Sequence, residues 1–193
     1  MKYLEPLIWQ AYEYAVEKLG KGKFTIMNVL IRQMNIAEYR LLKDFLYEAI
    51  FIPKGAKKPP RNIIEQDELQ VYIKDFGKQK DDCSLVAECD GKIIGACWVR
   101  IMNDYGHIDN ETPSFAISLY EEYRGQGIGI NLMRKMLELL SLKKYKRASL
   151  AVQKENYAVK MYKKVGFQIV SENDQEYIMV CELQKQGEEN AAH

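Results

Sequence analysis

Between an apolar run at 114–119 and a helical stretch at 128–141, the chain sets three glycines at alternate positions, Gly125, Gly127 and Gly129. The run Ser-Phe-Ala-Ile-Ser-Leu, just after Pro113, reads as a strand. The later stretch carries Leu132, Met133, Met136, Leu137 and Leu140 on one face, against Asn131, Arg134, Lys135 and Glu138, and reads as an amphipathic helix. A junction stripped of side chains lets a ligand approach the main chain closely. Exposed N–H groups at the following helix start offer an anion site, helped by the helix macrodipole. Arg124 and Gln126 flank the glycines, and Arg124 adds a guanidinium able to pair with phosphate oxygens. The segment therefore predicts a diphosphate cradle, although glycines also serve strand–helix turns with no ligand.

Two familiar phosphate loops do not fit. No Gly-Lys is followed by Ser or Thr, so there is no Walker A loop, and a dinucleotide fingerprint would put its third glycine at Ile130. The pattern present is R-x-x-G-x-G, leading into an apolar helix.

The rest of the chain supplies a mixed α/β frame. Apolar residues from Ile8 to Leu19 at helical spacing, with Pro6 before and Gly20 after, predict a helix over 7–19 that packs on the main domain or on a second subunit. Met27 offers a second start, so residues 1–26 read as a helical extension, 27–184 as the main domain and 185–193 as a polar tail. A strand is expected at 29–34. Asn35 with Glu38 resembles a capping box and opens a helix over 36–50. The proline-containing loop 52–64 holds Lys54, Lys57, Lys58 and Arg61 with no acid among them; it reads as a solvated connector or as a rim that attracts an anion. A helix is expected over 65–76. Asp90-Gly91 between two β-rich runs signals a hairpin. Further on come a strand at 147–153, a helix at 156–165 capped by Gly166, and closing strands at 167–171 and 177–183.

Charge and composition exclude several classes. Lys plus Arg is 28 against 27 for Asp plus Glu, a net charge of +1, so no global basic field for nucleic acid exists. The longest apolar run is far short of the ~20 residues a membrane span needs. Glu5, Pro6 and Gln10 interrupt any signal-peptide core. Cys83, Cys89, Cys97 and Cys181 lack a C-x-x-C spacing and read as reduced, buried thiols of a cytoplasmic protein. With only His107 and His193, neither a His-rich zinc site nor a Ser-His-Asp triad is expected.

A second segment gives the first its meaning. Asn156, Ala158, Tyr162, Gly166 and Phe167 form N-x-A-x-x-x-Y-x-x-x-G-F, some thirty residues after Arg124, Gly127 and Gly129. In this order and setting, the pair resembles the GCN5-related N-acetyltransferase (GNAT) superfamily over about residues 29–184. The resemblance implies a central twisted, mostly antiparallel sheet flanked by helices, with the strands at 114–119 and 147–153 forming a parallel pair splayed at the ligand site. It implies acetyl-coenzyme A as donor, an amine of a small molecule or peptide as acceptor, no metal, and a homodimer as a common assembly.

By the same resemblance, Ile117, Ser118 and Leu119 would bond the pantetheine arm through their main chain. Arg124, Gly125, Gln126, Gly127, Ile128 and Gly129 would hold the diphosphate. Asn156 would touch the donor arm, though Asn also suits an N-cap. A neutral amine attacks the thioester, a strand N–H meets the oxyanion, and a nearby acid protonates the leaving sulfur. Tyr162 stands where the family carries this acid, and it also belongs to the apolar stripe of its helix. For the base, Glu111 is the first choice, with His107 and Asp109 as alternatives in the same loop. Glu48 would meet the acceptor's charge. Two other readings stay open: a non-catalytic acyl-coenzyme A-binding module on the same fold, and a protein–protein module.

Overall fold

The computed structural model describes residues 27–183. The helix expected at 7–19 and the tail from 185 lie outside the described residues. Strand β1 (Val29–Gln33) is followed by a 3₁₀ turn (Ile36–Leu41) that runs into helix α1 (Leu42–Ala49). A second 3₁₀ turn (Arg61–Glu65) precedes the short helix α2 (Asp67–Gln70). Strands β2 (Cys83–Cys89) and β3 (Lys92–Arg100) form the expected hairpin, with Asp90 and Gly91 both at positive φ in its turn. Strand β4 (Ser114–Leu119), helix α3 (Ile128–Leu142), strand β5 (Arg147–Gln153), helix α4 (Ala158–Lys164) and strands β6 (Gln168–Glu172) and β7 (Glu176–Glu182) complete the order.

The strands form one seven-stranded sheet in the order β1-β2-β3-β4-β5-β7-β6. Every neighbouring pair is antiparallel except β4 and β5. Alternation of side chains along the strands gives the sheet two buried faces. Leu85, Cys97, Val99 and Phe115 pack on Leu132, Met133, Met136 and Leu140 of α3. Val86, Ala96 and Trp98, on the opposite face, pack on Leu42, Phe45 and Leu46 of α1. Those four α3 side chains are fully buried. Each such burial contributes about 1.5–3 kcal/mol, against about 1 kcal/mol lost by Gly129 inside the helix. The stripe therefore holds α3 in place despite its glycine.

Two expected helices differ from the structure. The stretch 36–50 begins as a 3₁₀ turn before α1, with the Asn35 N–H donating to the Glu38 carboxylate at 2.7 Å. The stretch 65–76 is a four-residue helix followed by turns. Its carbonyls are captured from the sheet: Arg100 donates to Val71 O (3.0 Å) and Lys74 O (2.9 Å), and the Trp98 indole donates to Tyr72 O (3.1 Å). Arg100 is itself buried and paired with Asp82. These tertiary bonds outcompete the i→i+4 ladder and pin the 71–76 turns to β3.

Candidate active site

Strands β4 and β5 run side by side but share only the Ser114–Ser149 position, closed by Ser149 N–H to Pro113 O at 3.0 Å. Beyond it they part. On its other edge β4 stays in register with β3 as far as Leu119. Tyr120 N–H donates to Ile94 O at 3.0 Å. By antiparallel parity Ser118 and Ala116 also turn their main chain to β3, while Ile117 and Leu119 turn theirs toward the gap. The Ser118 hydroxyl donates to Phe45 O at 2.6 Å. So of the three β4 residues expected to bond a pantetheine arm, Ile117 and Leu119 are directed at the gap and Ser118 ties β4 to β3 and α1.

The gap opens into a wedge-shaped cavity of about 500 Å³. Ile117, Ser118, Leu119, Arg124, Gly125, Gly127, Gly129, Asn156 and Tyr162 all line it, so nine of the expected donor-site residues converge there. Gln126 and Ile128 do not. The Gln126 side chain donates to Glu122 O at 3.0 Å, and the Ile128 side chain is buried in the core.

Gly127 is the N-cap of α3, at φ 80, and a side chain there would meet no protein atom within 4 Å. It is a glycine because of its backbone angle and because its amide borders open space. A Cβ at Gly129 would sit 3.1 Å from Met161 Sδ, so this glycine lets α4 close on α3. Arg124 lines the wedge and is also bonded within the protein. Its Nε donates to Leu119 O (2.9 Å), and its Nη2 donates to Glu48 Oε2 (2.9 Å) and Glu48 O (3.2 Å). The guanidinium braces the turn against β4 and α1. Glu48 pairs with Arg124 and, at 3.6 Å, with Lys58.

The basic loop is divided between these contacts and solvent. Lys58 and Pro59 line the wedge, Tyr47 OH donates to Pro59 O (2.7 Å), and Arg61 pairs with Asp44 (2.8 Å) over the Tyr47 ring. Lys54 and Lys57 are exposed. Asn156 combines both of its readings: its Oδ1 accepts the Ala158 N–H at 2.9 Å, and it lines the wedge.

Tyr162 is the hinge of the site. It is 9% exposed, and burial raises its phenol above the ordinary range, with Cys97 and Tyr157 adding to the shift. The group is held in its protonated form. It lines the wedge and also a second cavity of about 700 Å³, on the α1 side of the sheet. Ile117 and Asn156 are shared in the same way. The second chamber is walled by α1, the 63–72 segment, Tyr105, the end of β5 and Glu176 at the start of β7.

Behind its wall stands Asp104, whose Oδ2 accepts from Tyr72 OH (2.9 Å) and Ser114 Oγ (2.7 Å). Burial raises the Asp104 carboxyl, opposed by these two bonds. Tyr72, which lines the chamber, is raised by burial and by the nearby charges of Asp104 and Glu176.

None of the residues expected to supply a base lines either cavity. Glu111 is exposed on the turn before β4, with its N–H donating to Asp109 Oδ1 (2.9 Å). Asp109 pairs with Arg147, and its carboxyl is lowered to about 2, first by the Thr112 hydroxyl, then by the Glu111 N–H and Arg147. The His107 Nδ1 donates to Met102 O at 2.9 Å. This loop sits at the start of β4, whereas the wedge opens at its end. Asp104, Tyr72 and Glu176 carry no motif, and Asp104 is a half-buried carboxylate three residues before His107.

Residues 46–167, more than half of the chain, match a family model described as Acetyltransferase (GNAT) family. A Bacillus subtilis (strain 168) protein, provisionally named a ribosomal protein bS18-alanine N-acetyltransferase, is 39% identical over 85 residues, 44% of this chain and 52% of that protein. The chain thus spans about half the length of this curated relative. Among solved structures, the PaiA N-acetyltransferase of Thermoplasma acidophilum in complex with coenzyme A is similar with a TM-score of 0.61 and 19% identity, over 81% of this chain and 99% of that one. The ribosomal-protein-S18-alanine N-acetyltransferase of Escherichia coli is similar with a TM-score of 0.57 and 14% identity, over 83% and 97%. At these identities the likeness is one of fold.

Proposed function

The chain belongs to the GNAT acetyltransferase family, and from that premise we propose that it transfers the acetyl group of acetyl-coenzyme A directly to a primary amine. The observation that carries this reading is the wedge itself. Two parallel strands that pair once and then part expose the main chain of Ile117 and Leu119 to a cavity that ends in a side-chain-free helix N-terminus. A long, flexible thioester with a diphosphate fits both halves of that cavity.

In this reading the amides of the 125–129 turn, at the positive end of the α3 dipole, bind the diphosphate. Lys58 adds positive charge from the loop above. Ile117 and Leu119 bond the pantetheine amides, and Asn156 offers its Nδ2 donors, since among the described residues only its Oδ1 is engaged. The thioester carbonyl lies at the throat shared by the two cavities. A β4 main-chain N–H there stabilises the developing oxyanion. Tyr162 protonates the departing sulfur, and its burial keeps the proton available at neutral pH. No thiol of the protein is needed as a covalent carrier.

The acceptor is an amine of a peptide or protein, supported by the names of the Bacillus subtilis relative and the Escherichia coli neighbour. No helix among the described residues is long and apolar enough to cross a membrane. Calorimetry with coenzyme A tests the donor site. Thiol release from acetyl-coenzyme A across a panel of peptide and small-molecule amines tests turnover. Donor binding with no turnover on any amine would leave only the acyl-coenzyme A-binding module.

A further inference from the structure

The two cavities differ in charge. The wedge is lined by Glu48, Glu121, Lys58 and Arg124. The chamber is lined by Asp67, Glu68 and Glu176, with no Lys, Arg or His among its described lining residues. Glu176 is the inner one of these acids. It is half-buried, and its strand register opposite Gln153 brings it to the end of β5 where the throat opens. Gln153 Nε2 donates to Glu176 Oε1 at 3.0 Å, and the Glu176 N–H donates to Asn173 Oδ1 at 2.7 Å. One carboxylate oxygen is thus fixed by the protein while Oε2 makes no bond within it among the described residues. Asp67 and Glu68 are exposed at the outer rim.

A neutral ligand would gain nothing from this arrangement, and an acidic one would be repelled. The basic loop 54–61 does not change the sign, because its cavity-lining lysine belongs to the wedge. Resting on the acetyl-transfer reading above, we infer that Glu176 receives the acceptor's ammonium group across the throat from Tyr162, and that the rim acids Asp67 and Glu68 select acceptors carrying a second positive charge. Such an acceptor is a basic peptide N-terminus or a polyamine, which share this chemistry.

The proton balance is consistent with direct transfer. The ammonium gives one proton to Glu176 Oε2 and the neutral nitrogen forms the N–C bond. When the C–S bond breaks, Tyr162 gives its proton to sulfur, and the second proton leaving nitrogen restores Tyr162. The proton on Glu176 passes to solvent.

The test compares the tripeptide amides Ala-Lys-Lys, Ala-Gln-Gln and Ala-Glu-Glu, and spermidine, by thiol release and by calorimetry on the full chain saturated with coenzyme A. Ala-Lys-Lys or spermidine is expected to exceed Ala-Gln-Gln by about tenfold or more in kcat/KM, with Ala-Glu-Glu lowest; which of the two leads separates the peptide from the polyamine source. Glu176→Gln keeps an acceptor for Gln153 and is expected to raise acceptor KM about tenfold and to lower kcat as well, while the coenzyme A Kd stays constant. The pair Asp67→Asn and Glu68→Gln is expected to weaken only doubly charged acceptors. Equal use of Ala-Lys-Lys and Ala-Glu-Glu, or an unchanged acceptor KM in Glu176→Gln, overturns the inference with the donor reading intact. Failure of coenzyme A to bind the wild type overturns the donor reading instead, and this inference with it.

Discussion

The wedge and the chamber meet at Ile117, Asn156 and Tyr162, yet they are built by opposite means. The wedge offers main chain: two parted strands and a turn without side chains. Its residues come from three stretches, 47–59, 117–130 and 156–162, and the last two carry the motifs. The chamber offers side chains gathered from α1, the 63–72 segment, Tyr105, β5 and β7. A site made of backbone must be written locally, because only particular residues and spacings free the amides. A site made of side chains can draw a carboxylate from any strand that passes by. The wedge is therefore the general half of the molecule and the chamber its particular half.

The hardest blow to the wedge is Gly127→Val. A β-branched residue at φ 80 is strained by about 1–3 kcal/mol, and its side chain would stand over the amides proposed to bind the diphosphate. Coenzyme A affinity is expected to fall by about 10³-fold, read by calorimetry, with a lowered melting temperature. Undiminished binding would mean that the turn's amides do not hold the diphosphate.

Next in size is Tyr162→Phe, which removes the acid and leaves the ring packing against Phe167. A loss of about 10²-fold in kcat is expected, with the coenzyme A Kd changed by no more than about twofold. Burial lifts the phenol above the ordinary tyrosine value of about 10. The wild-type rate at saturating acceptor should therefore show no decline below about pH 10 from loss of the phenol proton. A falling limb between about pH 8 and 9 would point to another acid.

Arg124→Gln separates amides from side chains within the wedge. Because the guanidinium braces Leu119 and Glu48, its loss should loosen coenzyme A binding by only about tenfold, far less than Gly127→Val. A drop as large as that of Gly127→Val would restore the guanidinium as a direct phosphate ligand.

The chamber wall is sharpened by Asp104→Asn, which can still accept from Tyr72 and Ser114. About a fivefold rise in acceptor KM is expected, from the altered charge behind Tyr72. Stability carries a second signature. Burial raises the folded-state pKa of Asp104 above the unfolded value of about 3.9. Its contribution is therefore fully present below about pH 4 and is lost as pH rises through the raised folded value. Urea denaturation should show wild type losing stability relative to Asp104→Asn as pH climbs above about 4. A constant difference across pH would mean that Asp104 is not perturbed by burial.

These contrasts also explain what the sequence made legible. Period-two and period-3.6 patterns locate every strand among the described residues and the two motif-bearing helices, and the Asp-Gly pair locates the turn at Asp90–Gly91. The glycine spacing and the run from Asn156 to Phe167 marked residues that do converge on one cavity. The 65–76 segment misled because its helical pattern was overridden by Arg100 and Trp98, roughly 25–30 residues away in the chain. Nothing local reveals that Glu48, 76 positions before Arg124, reaches its guanidinium. Glu176 carries no motif, and only the β5–β7 register brings it beside Gln153.

The smallest expected effect is the one that most directly contrasts the two ends of β4. Glu111→Gln should leave kcat, acceptor KM and coenzyme A Kd within about twofold of wild type. Glu111 closely precedes the strand that lines the wedge, but a strand of six residues spans about 20 Å. The wedge opens beyond the Ser114–Ser149 bridge, toward Leu119, and Glu111 lies on the other side of that bridge, exposed beside the Asp109–Arg147 pair. A carboxylate there is too remote to take a proton from an amine at the throat. A tenfold loss of kcat in Glu111→Gln with an unchanged melting temperature would require the acceptor to approach from the start of β4, and would move the acceptor site out of the chamber altogether.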